Sequence, residues 1–195
     1  IDVWEPGMYG GQALAEILFG KVNPSGKLPI TIPQHAGQVP IYYYQKDTRY
    51  TTGYGLGSSR KDDLPAFCFG HGLSYTQFEY SNLEMDTIYA PGQDIRISFK
   101  VKNTGTRAGK ETPLLFVSDV VSSVVTPRAL LKGFEKISLN PNEEKRLEFI
   151  IPYKSLGLWN TDMKYTVEPG EFDIKIGCSF DDIRLKGKIR IINKN

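Results

Sequence analysis

The sequence holds 195 residues, enough for one large domain or two small ones, and its 40% apolar share is that of a protein that buries an ordinary core. Its 24 basic and 22 acidic residues are interspersed and leave a formal charge of +2, too weak a field to recruit nucleic acid or an anionic membrane. No apolar run approaches the roughly 20 residues that a bilayer span needs, so a soluble product is expected.

The opening residues, "IDVWEPG", carry no initiator Met and no basic stretch leading into an apolar one. They read as the interior of a longer chain, so the compartment is unknown from sequence. "VWEPG" reads as the end of a strand turning through Pro6 and Gly7, which places Trp4 at a strand end, in the core or, alternatively, at a binding site. In "GGQALAEILFG", Leu14, Ile17 and Leu18 share one helix face, and Gly20 is placed to end the helix in a left-handed conformation. "NPSGKLPITIP" then reads as a turn followed by an extended stretch from Leu28 to Ile32. Strand, helix, strand is a single βαβ unit, which cannot bury both faces of its strands, so neighbouring strands are expected upstream.

Residues 34–64 show no helical period. A surface excursion of this length is uncommon unless it is functional or mobile, so ligand contact is expected here before anywhere else. "FGHGLSYTQFEY" follows, with His71 between two glycines. No catalytic partner stands at a recognisable spacing, so His71 reads as a hydrogen-bonded structural residue.

Beyond Phe78 the pattern alternates. In "IRISFKVKNTG", Ile95, Ile97, Phe99 and Val101 point one way and Arg96, Ser98, Lys100 and Lys102 the other. The same two-residue period recurs at Leu147, Phe149 and Ile151, at Phe172, Ile174 and Ile176, and at Ile183, Leu185, Ile189 and Ile191. Turn chemistry separates these runs at Pro91-Gly92, Asn140-Pro141-Asn142 and Pro169-Gly170. Short strands at regular intervals with no helix between them predict a mainly β fold, an antiparallel β-sandwich of immunoglobulin-like type. Arg184, Lys186, Lys188 and Arg190 line one face of the last strand and read as a solvated face or an edge guarded against further pairing, in preference to an anion site. Trp159, among apolar neighbours in "LGLWN", is expected in the sandwich core.

Cys68 and Cys178 have no C-x-x-C context and read as two free thiols, with a disulfide as the alternative. The pairs Asp62, Asp63 and Asp181, Asp182 lack calcium-loop spacing and read as solvated turns.

Six segments, "PGMYGGQALAEILFGKVNPSGKLPITIP", "GQVPIYYY", "FGHGLSYTQFEYSNL", "VKNTGTRAGKE", "PRALLKGFEKISL" and "VEPGEFDIKIG", stand in the order found in family 3 glycoside hydrolases, the β-glucosidase and β-xylosidase group. Together the chain resembles the C-terminal part of such an enzyme. The resemblance implies residues 1–66 as the C-terminal remnant of an α/β sandwich domain, residues 67–79 as an aromatic and glycine-rich connector, and residues 80–195 as a fibronectin type III-like domain. Phe69, Tyr75, Phe78 and Tyr80 are then anchors that pin the connector on both sides, while Gly70 and Gly72 permit tight turns.

Enzymes of this family are retaining glycosidases that use two carboxylates about 5 Å apart, one as nucleophile and one as acid/base. The resemblance places both upstream of Pro6, so no catalytic residue is expected in this chain. Glu5, Glu16 and Asp47 match neither position. No cofactor and no metal are implied. The implied partners are a β-linked oligosaccharide or glycoside, through the full-length enzyme, and the enzyme's own N-terminal domains. In the excursion, Tyr42, Tyr43, Tyr44, Tyr50 and Tyr54 offer aromatic faces to pyranose rings, with Lys46 or Arg49 as donors to sugar hydroxyls. Tyr44 and Arg49 are the candidate substrate-binding residues, and packing of the loop on another domain is the alternative. Where relatives carry Asn-His after paired tyrosines, this chain has Tyr44 and Gln45. A non-catalytic carbohydrate-binding or protein-interaction sandwich is the rival function.

Overall fold

Alternating apolar residues become strands only where a second segment completes their hydrogen bonds, and the computed structural model, which describes residues 1–46 and 64–193, pairs them into two facing sheets. Twelve strands follow one another in the described residues: β1 (Phe78–Met85), β2 (Ile88–Tyr89), β3 (Ile95–Asn103), β4 (Gly109–Glu111), β5 (Leu114–Asp119), β6 (Leu130–Phe134), β7 (Ile137–Leu139), β8 (Glu144–Ile151), β9 (Leu158–Trp159), β10 (Tyr165–Thr166), β11 (Gly170–Gly177) and β12 (Ile183–Ile191). One sheet has the order β1-β3-β8 and the other β2-β12-β11-β5-β6; β4 pairs with β7 and β9 with β10. All pairs are antiparallel except β2 with β12, where the chain leaves the first sheet after β1 and caps the edge of the second at Ile88 and Tyr89.

The core is what the alternation predicts. Ile95, Ile97, Phe99 and Val101 of β3 are completely buried, opposite Leu147 and Phe149 of β8 in register. They meet Leu115, Val117, Phe172, Ile174, Ile176, Ile189 and Ile191 of the facing sheet. Each such side chain contributes about 1.5–3 kcal/mol by leaving water. Outward on β12, Arg184, Lys186, Lys188 and Arg190 are exposed, and Glu171 pairs with Lys188 at 3.0 Å and Arg190 at 3.7 Å, so this is a solvated face.

β5 is different. Leu114, Leu115, Phe116 and Val117 are all buried, because both faces of this strand are covered. Its outer face carries a second apolar cluster of Leu114, Phe116 and Ala129, and the residues that close it include Tyr43 and Phe69 from the preceding part of the chain.

That preceding part holds the expected helix, α1 (Gly10–Leu18), ended by Gly20 at φ +74°. The flanking strands are not formed as expected. "VWEPG" is irregular, and among the described residues Leu28–Ile32 pairs with 66–71 alone: Leu28 N–H donates to the His71 carbonyl at 2.9 Å and Ile32 N–H to that of Phe67 at 2.8 Å. A strand needs a bonded neighbour, and no described segment lies beside residues 1–5. Trp4 is correspondingly on the surface, 59% exposed with φ +47°, instead of in a core. Trp159 is also outside the core. It sits on the β9–β10 hairpin, whose turn is tied by Asn160 Oδ1 accepting from the N–H of Asp162 and Lys164, and the hairpin carries the indole away from both sheets.

Candidate functional site

The tyrosine segment folds as a tight turn in which Gln45 N–H donates to the Tyr42 carbonyl at 3.2 Å. Alternate rings then face opposite ways. Tyr43 points inward and stacks on Phe69 with ring centres 4.3 Å apart, its edge toward Phe116 and Phe180. Tyr42 and Tyr44 stack on each other at 5.4 Å and remain about half exposed. Arg128 N–H donates to the Gln45 carbonyl and Lys46 bridges to Pro127, so the turn is docked on the loop before β6. Beside it lies a cavity of about 710 Å³ lined by Tyr42, Tyr43, Phe69, Arg128, Lys175 and Asp181. Of the two candidate sugar contacts, Tyr44 is thus placed at the surface, while Arg49 lies outside the described residues, as do Asp47, Tyr50, Tyr54, Asp62 and Asp63.

The connector makes this docking possible. Gly70, at φ +84°, passes so close to the sandwich that a Cβ there would sit 2.5 Å from Leu114 Cδ1, and a Cβ on Gly72 would sit 2.2 Å from the Gly26 carbonyl oxygen. Phe78 and Tyr80 are buried in β1, and the Tyr75 hydroxyl donates to the Ile17 carbonyl at 2.8 Å beneath the Arg107 guanidinium. His71 works through its backbone, bonded to Leu28 and Cys68, with its ring against Phe67.

A polar clasp completes the junction. Lys27 Nζ lies 2.9 Å from Glu111 Oε1, and their side chains are only 16% and 8% exposed. Asn23 Oδ1 accepts from Ser74 Oγ and Tyr75 N–H, while its amide donates to the Ala108 carbonyl. Lys136 donates to the Ser25 carbonyl at 2.9 Å and Arg107 to that of Gly20. Fully buried Asn103 sits beneath this clasp: its Oδ1 accepts from Thr76 Oγ1 and Gly105 N–H, and its Nδ2 donates to the carbonyls of Arg107 and Leu139.

The titratable groups are tuned for structure. Lys21 holds the Glu16 carboxyl below the usual carboxylate range, and Arg184 does the same for Asp182. Both cysteines are free. Burial, with Asp181 beside it, pushes the Cys68 thiol up to about 12, and burial pushes Cys178 up to about 11 despite nearby Lys27, so both are protonated at neutral pH and neither is a nucleophile. Among the described residues no group of three or more His, Cys, Asp or Glu could hold a metal ion.

Asp119 is raised to about 6, chiefly by burial and further by Glu168. A carboxyl whose pKa is higher in the folded chain than its unfolded value near 3.9 stabilises the fold when protonated. That contribution is complete below about pH 4 and is lost as pH rises through 6. Thermal melts of the wild type and Asp119→Asn between pH 4 and 7 are expected to show the variant gaining on the wild type as pH rises. A constant difference between them would overturn this assignment.

Two family models match the chain: the glycosyl hydrolase family 3 C-terminal domain over residues 1–75 and the fibronectin type III-like domain over residues 111–180. The chain is 44% identical to a thermostable β-glucosidase B of Acetivibrio thermocellus, covering 98% of this chain and 26% of that protein. It is 40% identical to a putative β-xylosidase of Formosa agariphila, covering 94% and 24%. A crystal structure of a β-glucosidase from Listeria innocua in complex with glucose superposes with a TM-score of 0.89 at 30% identity, over 98% of this chain and 28% of that one. The chain therefore spans about a quarter of the length of the relatives it matches. Among the described residues no helix is long and apolar enough to cross a membrane.

Proposed function

The chain belongs to the family 3 glycoside hydrolases and corresponds to their C-terminal region, and from that premise we propose that the longer protein hydrolyses β-linked glucosides or xylosides while this part braces the domains that perform the chemistry. Residues 1–66 are read as the end of an α/β sandwich domain, 67–79 as the connector and 80–195 as the fibronectin type III-like domain. The observation that carries the bracing role is the shared cluster on the outer face of β5, where Tyr43 and Phe69 complete a core that Leu114 and Phe116 begin. Such a contact fixes one segment against another by burial, without any reactive group. The carboxylates in view support the same reading, since Glu16, Glu111 and Asp182 are each committed to a cation.

Within this reading Tyr44, together with Arg49, contacts the sugar of the whole enzyme. Tyr44 is about half exposed and is held by its stack on Tyr42. Chromogenic β-glucosides and β-xylosides test these statements together. The whole enzyme is expected to cleave one of them, the 195-residue chain neither, and Tyr44→Ala in the whole enzyme is expected to raise KM several-fold. Hydrolysis by the chain alone would overturn the bracing role, an inert whole enzyme the activity, and an unchanged KM the contact.

A further inference from the structure

A second cavity of about 290 Å³ opens between β5, β6 and β11 of the five-stranded sheet, the loop before β6 and the start of the β9–β10 hairpin, with Lys46 at its margin. Its walls combine an apolar plate with polar groups of both kinds. The plate is Trp159, 61% exposed, braced edge-on by the Tyr165 ring at 5.6 Å, which is itself fixed by its hydroxyl donating to the Lys154 carbonyl at 2.9 Å. Asp119 supplies a carboxylate acceptor. Lys132 supplies an ammonium that donates to the Ser155 carbonyl and keeps further donor capacity. Ser155 Oγ, also at this wall, is buried with no hydrogen-bond partner among the described residues.

An orphaned buried hydroxyl is destabilising, and a bound polar ligand relieves that cost. The Asp119 carboxylate stands against two ammoniums, Lys46 and Lys132, so the wall offers an acceptor and several donors to a hydroxyl-rich ligand. The volume is at the lower end of ligand sites, roughly 300 Å³, which suits one ring and not an extended chain. An indole plate with donors and acceptors beside it matches a pyranose, whose ring has an apolar C–H face and a rim of hydroxyls.

We propose that this groove is a non-catalytic binding subsite for one pyranose unit of an oligosaccharide, with Trp159 as its stacking platform and Asp119, Lys132 and Ser155 bonding the hydroxyls. The site goes beyond the bracing role and does not depend on hydrolysis, because its platform and its bonding groups all belong to the sandwich end of the chain. Its use is retention: a sugar chain held here raises the concentration of its other units near the enzyme that carries the sandwich.

The test is titration of the 195-residue chain with cellotetraose and xylotetraose, followed by calorimetry and by amide NMR shifts. A saturable isotherm with a Kd on the order of 1 mM is expected for at least one sugar, corresponding to about −4 kcal/mol. Shifts should map to Trp159, Ser155 and residues 125–126. Trp159→Ala is expected to weaken binding at least tenfold and Trp4→Ala to leave it unchanged. Lys132→Met provides an independent variant, with a several-fold loss expected. An absence of saturable binding, shifts confined to Tyr42–Tyr44, binding retained in Trp159→Ala, or competition by an aromatic peptide with no sugar response would each overturn the proposal. None of these outcomes bears on whether the whole enzyme hydrolyses glycosides.

Discussion

Replacing Lys27 by Met is expected to cost about 3–5 kcal/mol of stability, because it strands the Glu111 carboxylate in a site where its side chain is only 8% exposed. The ammonium and carboxylate are 2.9 Å apart, and one Glu111 oxygen also accepts from the Thr112 N–H at 2.7 Å. A methionine fills the space of the lysine stem but supplies no charge, so the loss measures an unpaired buried ion and not a packing defect. Glu111→Gln in the same background removes that ion while keeping an acceptor for Thr112. The double variant is therefore expected to return to within about 1 kcal/mol of the wild type. Urea unfolding of the four species reads the cycle. A loss below about 1 kcal/mol in Lys27→Met alone would mean that the pair is worth no more than an exposed one, and the clasp would lose its main element.

Asn103→Ala is the second large effect, about 3–4 kcal/mol. The amide is fully buried and serves four groups at once: Thr76 Oγ1 and Gly105 N–H as donors, the carbonyls of Arg107 and Leu139 as acceptors. Each group left unpaired away from water costs about 1–3 kcal/mol, moderated where solvent or relaxation reaches it. Thr76→Ala, which removes one partner and leaves three bonds, should cost about 1 kcal/mol. Asn103→Asp keeps the acceptor but loses both donors and adds a charge, so it should be no better than the alanine. If the alanine and threonine variants prove equally mild, Asn103 is not the hub of this network. Guanidinium unfolding with a constant m-value separates a true stability change from an altered unfolded state.

How far the sequence foretold this structure depends on how local each signal is. β3, β8, β11 and β12 were legible because one face of each is buried and the other wet, which writes a two-residue period into the chain. β5 carries no such period, since "LLFV" is buried on both sides; its only signal is four consecutive apolar residues bounded by Pro113 and Ser118. The apolar neighbours of Trp159 suggest a core, whereas a hairpin of two-residue strands, whose five-residue turn is held by the side chain of Asn160, lifts it out. The strands expected around α1 failed for a different reason: strand pairing is a property of two segments, and a window on one cannot supply the other. In the candidate site, Tyr44 was identifiable as an exposed aromatic in a long excursion, but nothing in "IYYYQ" says that Tyr43 alone turns inward. The Lys27–Glu111 pair was invisible for the same reason as any long-range contact between ordinary charged residues.

The ring stack of Tyr43 on Phe69 limits how this sandwich can be transplanted. A chimera that fuses only residues 80–195 to a foreign catalytic domain would expose Leu114 and Phe116 to solvent and leave Glu111 without its cation. The portable unit begins earlier, with Asn23 and Lys27, and includes the tyrosine turn. Recombination that respects this seam keeps the apolar cluster covered, and recombination that cuts within β1 creates a sticky surface instead.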